Sequence, residues 1–166
     1  MSPALAPPFL VAALLVCIAG GLKLRSPGRA AAALGMRPAA IRGLALGEVT
    51  LGAACALHPT RPLAVALAIV YGLFSLVAIV LMRRGVPCGC FGDNDLPVSS
   101  AHVIASELLG AVAVGAALAG PHGLGWVLDQ PPMQTAALLV GVAGALYATV
   151  AVYTQLPAAW AAWSGE

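Results

Sequence analysis

The sequence predicts an all-α membrane bundle, a four-helix core with a fifth transmembrane helix, and three observations predict it. Of the 166 residues, 61% are hydrophobic and only 8% are charged. Soluble domains carry roughly 25% charged residues, so this chain cannot coat itself with a water-facing surface. Five segments approach the run of about 20 apolar residues that crosses a bilayer core of about 30 Å. The few basic residues gather in alternate connections rather than along any one face. A net charge of +2 is too small to suggest nucleic acid as a partner, and the lipid bilayer is the partner that the composition names.

The first apolar segment, residues 9–24, contains Cys17 and ends through Gly20-Gly21. No basic residue precedes it, whereas a cleavable secretory signal opens with a basic region, so a permanent helix is expected here. The second, residues 41–57, is short and holds Glu48 and Cys55. Its Gly43 and Gly47 stand four apart, a spacing that lets a neighbouring helix approach closely. The third, 63–82, is the cleanest and stops at Arg83-Arg84. The fourth, 100–119, contains His102 and Glu107, and the fifth, 133–153, is free of charge. Prolines punctuate the connections, at 59 and 62, at 87 and 97, and at 121, 131 and 132; proline cannot continue the helix that precedes it. The expected organisation is a four-helix membrane domain over 1–119, then a linker, the fifth helix and an interfacial tail over 120–166. Trp160 and Trp163 suit that tail, because indole rings favour the membrane–water boundary.

Short loops rich in Lys and Arg stay on the cytoplasmic side. The first loop holds Lys23, Arg25, Arg29, Arg37 and Arg42, and the third holds Arg83 and Arg84, against Arg61 alone in the second. Both basic loops are therefore expected in the cytoplasm, with the N-terminus outside. Seven arginines against one lysine, with abundant Ala, Gly and Pro, fit a GC-rich bacterial gene, which makes the bacterial inner membrane the expected location.

Chemistry points to the third loop, Cys88-Gly89-Cys90-Phe91-Gly92, in a chain with four cysteines. The Cα atoms of an i,i+2 pair can fall within the disulfide range of about 4.4–6.8 Å, but the ring is tight. Strained, exposed disulfides are the reducible and catalytic ones. Gly89 supplies the backbone freedom of so small a ring, and the nearby arginines favour thiolate. Metal capture by the two thiolates is the minor alternative, since soft ligands suit Cu(I) but no zinc spacing is present. Depth adds to the picture. Glu48, Glu107 and Cys17 each lie about 10 Å from the span end on the side of the cysteine loop, at about 1.5 Å per residue. A polar pocket under that loop is expected, with His102 near its rim. Carboxylates in lipid are costly unless paired, wetted or protonated. Glu48 has no cation near it in sequence, so it is expected either to hydrogen-bond a neighbouring helix in neutral form or to serve as a proton donor or acceptor, or a ligand contact. A quinone is the cofactor this pocket leaves room for, with Glu48, Glu107 and His102 as contacts.

The order of features resembles the MauE family of methylamine-utilisation membrane proteins, within a broader DoxX-like group. Three places carry the likeness: residues 19–24 with Pro27, Leu46-Gly47-Glu48 with Leu51-Gly52, and Cys88-Gly89-Cys90-Phe91-Gly92. Together they cover roughly residues 8–119, and the cysteine motif is the specific one. The resemblance implies a redox-associated membrane protein linked to maturation of the disulfide-rich small subunit of methylamine dehydrogenase. One departure stands out, because Ser106-Glu107 occupies the place where the family often carries Arg-Asn.

Three functions follow from different classes. The first is a membrane thiol–disulfide oxidoreductase in which Cys88 and Cys90 exchange with a thioredoxin-like protein or an exported, disulfide-containing client. The second is a non-enzymatic assembly or accessory subunit of a membrane redox complex. The third is a thiolate metal handler.

Overall fold

The computed structural model describes residues 3–86 and 98–155. A single 3-10 turn, Pro3–Leu5, leads into α1 (Ala6–Arg25), followed by α2 (Pro27–Leu34), α3 (Pro38–Leu57), α4 (Arg61–Arg84), α5 (Ser100–Ala119), the short α6 (Leu124–Leu128) and α7 (Pro132–Thr154). Five of these, α1 (counted with its leading turn), α3, α4, α5 and α7, are long and apolar enough to cross a membrane. No strand occurs among the described residues. The all-α polytopic bundle expected from composition is the architecture observed. Cys88, Cys90, Trp160 and Trp163 lie outside the described residues.

Proline stands in the first turn of α1, α2, α3, α4 and α7. Its missing N–H has no intrahelical partner there anyway, and its fixed φ suits helix entry. Two of the prolines that break the connections, Pro62 and Pro132, therefore also start helices. Gly85, at φ +65°, closes α4 in the left-handed conformation that ends many helices and that glycine adopts without a Cβ clash. Helix α2 is an addition to the sequence reading, which held only a basic loop between the first two spans.

Helix α1 is the axis of the bundle. More than half of its span is buried within the protein, a larger share than for any other span. It packs most extensively against α3, while α4 and α5 form the second intimate pair, and α7 and α5 complete the wrap around α1. The main core joins Phe9, Ala12, Ala13 and Val16 of α1 to Leu67 and Tyr71 of α4 and Ala113 and Ala116 of α5. The Tyr71 hydroxyl, fully inside, donates to the Ala12 carbonyl at 2.8 Å, which satisfies a polar group that lipid could not.

The α1–α3 seam is built on two glycines. A Cβ at Gly20 would sit 2.7 Å from the Ala45 carbonyl oxygen, and one at Gly52 would sit 2.5 Å from that of Ala13. Any side chain at either position would push the helices apart. By contrast, a Cβ at Gly43 or Gly47 would meet nothing within 4 Å. The close-packing face expected at Gly43 and Gly47 is thus corrected. Those residues look into open space, and the helix contact runs through Gly52 and through Gly20 opposite.

Helices α3 and α4 touch far less than either neighbouring pair. A hollow separates them near Lys23, where α1 stops, and beside it Ala30 and Ala31 of α2 pack on Ile41 of α3. Both ends of the cysteine loop return to this region: Val86 and Val98 share one apolar cluster with Ala33, Ala78 and Leu81.

Candidate functional site

The sequence left Glu48 without a cation, and the fold supplies one. Lys23, from the last turn of α1, places Nζ 2.5 Å from Oε1 and 2.8 Å from Oε2 of Glu48. The two side chains are 9% and 11% exposed, so the pair is nearly dry. The same ammonium lies 4.7 Å from the centroid of the Phe74 ring on α4, within cation–π range. The expectation of an unpaired acid is corrected to a buried ion pair held against an aromatic face.

Its geometry follows from the seam. Gly20 is so close to α3 that its missing Cβ would lie 3.0 Å from the Glu48 Cβ, and one turn on from Gly20, Lys23 arrives level with the carboxylate. Farther along, a Cβ on Gly52 would strike Cys17 Sγ at 2.7 Å, and that thiol points to the Val49 carbonyl at 3.4 Å. Cys55 is fully buried and faces the Leu63 carbonyl at 3.5 Å. Both are free thiols.

Two hollows adjoin the ion pair. The inner one, about 50 Å³, is lined by Lys23, Tyr71 and Phe74 together with His102, Ser106 and Tyr153. That is room for water, which needs at least about 10–15 Å³ of such volume. The Ser106 hydroxyl lies 3.1 Å from the Tyr153 hydroxyl, and the His102 ring stands edge-on to the Tyr153 ring at 5.3 Å between centroids. His102 also has a local task, since its Nδ1 accepts the Ser99 N–H at 3.3 Å, the return half of a capping box at the start of α5. The outer hollow, about 600 Å³, lies between α2, α3 and α4. Glu48, Gly43 and Gly47 line it on one side, and Val70, Leu73 and Val77 on the other. Lys23, Phe74 and Val77 belong to both linings and form the partition.

His102 and Glu48 are therefore brought to opposite sides of Lys23, as residues of one polar centre. Glu107 is not. Adjacent helical positions differ by about 100°, so while Ser106 is buried toward the cavity, Glu107 is exposed on the outer face of α5. Its expected share in the pocket passes to Ser106. Sequence reasoning missed Lys23, counted there only as a topological charge, and Tyr153, placed in a span outside the four-helix core. A signal for Lys23 existed: it and Glu48 lie in two of the three segments that carried the family likeness, and they bear opposite charges.

Fold and site together define a multi-pass membrane protein with a buried ion pair at one end of its bundle. The family model described as methylamine utilisation protein MauE matches residues 2–120. The chain belongs to the MauE family. Comparison with curated proteins and with solved structures gives no match. The family match ends one residue beyond α5, so Tyr153 on α7 is a contribution from outside the matched region to a cavity within it.

Proposed function

We propose that this protein exchanges thiols and disulfides at the cytoplasmic membrane of a bacterium through Cys88 and Cys90, in maturation of a client protein. The family's association with methylamine utilisation supports the setting. The observation that carries the reading is where the dithiol is tethered. Cys88 is two residues beyond Val86, a tether of at most about 7 Å at 3.3–3.6 Å per residue. Val86 itself packs on the cluster of Ala78, Leu81 and Val98, against which Ala33 of α2 also packs.

In one turnover, a client thiolate attacks the Cys88–Cys90 disulfide and forms a mixed disulfide with one loop sulfur while the other leaves as thiolate. A second client thiolate then displaces the loop sulfur. The client gains a disulfide and the loop is left as a dithiol, so electrons and atoms balance within the pair. The Lys and Arg distribution of the two loops supports a cytoplasmic address for this chemistry, and a thioredoxin-like protein fits as the exchange partner there.

The test is a Cys90→Ser chain expressed in cells and quenched with acid. It should accumulate a covalent adduct through Cys88 that reductant releases, and impermeant maleimide should label the loop in inverted vesicles only after reduction. Thiols that stay reduced in every condition, with no adduct, would remove the proposal.

A further inference from the structure

We infer that the outer hollow between α2, α3 and α4 is a binding site for an isoprenoid quinone, its ring beside Lys23, Glu48 and Phe74. This deepens the exchange reading, on which its biological use rests, by naming the carrier that reoxidises the dithiol. Two thiols and a quinone give a disulfide and a hydroquinone, with two electrons and two protons moving to the two ring oxygens.

Four features select this ligand class. The volume, about 600 Å³, falls within the range of about 300–1,000 Å³ typical of small-molecule sites. The hollow opens sideways within the spans, where Leu44 and Leu73 are 52% and 55% exposed, so entry is from lipid and suits an apolar tail. Its polar wall carries one donor and one acceptor side by side. The Lys23 ammonium can donate to a quinone carbonyl, and the Glu48 carboxylate can accept from a hydroquinone hydroxyl, so both redox states find a partner. Phe74 offers an aromatic face at the same point. An anionic lipid headgroup meets the Lys23 charge only by facing the Glu48 carboxylate, which disfavours it.

Gly43 and Gly47 are what keep the space empty. Both line it, and neither has an atom within 4 Å of where a Cβ would stand. A leucine at either position would therefore project into the hollow.

The experiment is a calorimetric titration of decyl-tailed benzoquinone into the full chain in phosphatidylcholine nanodiscs, with n-decyl phosphate as competitor. Wild type should bind saturably, and decyl phosphate should not displace the quinone. Gly47→Leu and Gly43→Leu, checked for native helical content and monodispersity, should lose binding. With the reduced decyl hydroquinone as titrant, whose hydroxyl donates to Glu48, Glu48→Gln should weaken binding by about ten- to a hundredfold, the scale of a hydrogen bond to a charged group. A Cys88→Ser/Cys90→Ser chain should bind like wild type, so failure of binding with intact adduct trapping strikes this inference alone. Absence of saturable binding, unchanged binding in both leucine variants, or equal displacement by decyl phosphate would overturn it.

Discussion

Helix α3 has one face closed and one face open, and glycines make both. Against α1, Gly52 and the opposing Gly20 let the backbones meet so tightly that no Cβ fits. Toward α4, Gly43 and Gly47 face nothing within 4 Å. The same residue type produces a seam in one place and a cavity in the other, and the difference lies in whether a neighbour is present to use the space. Glu48 stands where the two faces meet. The seam brings Lys23 to it, and the opening leaves the pair reachable from within the membrane.

The contrast predicts a graded series of effects. The largest should follow Lys23→Met alone, which leaves Glu48 charged and nearly dry. Breaking one partner of a buried pair costs about 3–5 kcal/mol, so the detergent-solubilised protein should show a large fall in unfolding temperature. Next comes the seam. Gly52→Ala forces a Cβ onto the Ala13 carbonyl and should cost about 1–3 kcal/mol, the usual range for overpacking, measured by thermal unfolding in the same detergent. Tyr153→Phe removes the hydroxyl facing Ser106 and should cost about 0.5–1.5 kcal/mol. Smallest is Gly47→Ala, which should stay within about 0.5 kcal/mol of wild type. Equal penalties at Gly52 and Gly47 would erase the distinction between seam and cleft.

Much of the bundle was legible because its dominant signals are one-dimensional. Apart from the 3-10 turn that leads the first span, the observed helices depart from the expected spans by no more than three residues at any end: α5 coincides with residues 100–119, and α3 begins three residues before position 41. Apolar length and proline position suffice for that. Which face of a helix meets a neighbour is a three-dimensional matter, and there the sequence misled. Gly43 and Gly47 had the right spacing for contact but lack a neighbour, while Gly20 and Gly52, about thirty residues apart in the chain, face each other's helices. Glu48 and Lys23 are likewise separated by 25 positions, so no local pattern couples them. Glu107 had the right depth and the wrong azimuth. Depth comes from counting residues, whereas azimuth depends on how α4 and α7 settle against α5.

The central claim is that the Lys23–Glu48 pair serves the redox chemistry of the protein and is more than a strut between α1 and α3. Replacing a whole buried ion pair by apolar residues of similar volume is often neutral for stability, which separates the two roles. The decisive measurement is the in-cell redox state of Cys88 and Cys90, read by maleimide labelling before and after reduction, in a Lys23→Met/Glu48→Leu chain whose unfolding temperature matches wild type. The account predicts a stable protein whose loop thiols stay reduced because their reoxidation has stopped. A loop that cycles between thiol and disulfide as in wild type would contradict it and leave the pair a structural tie.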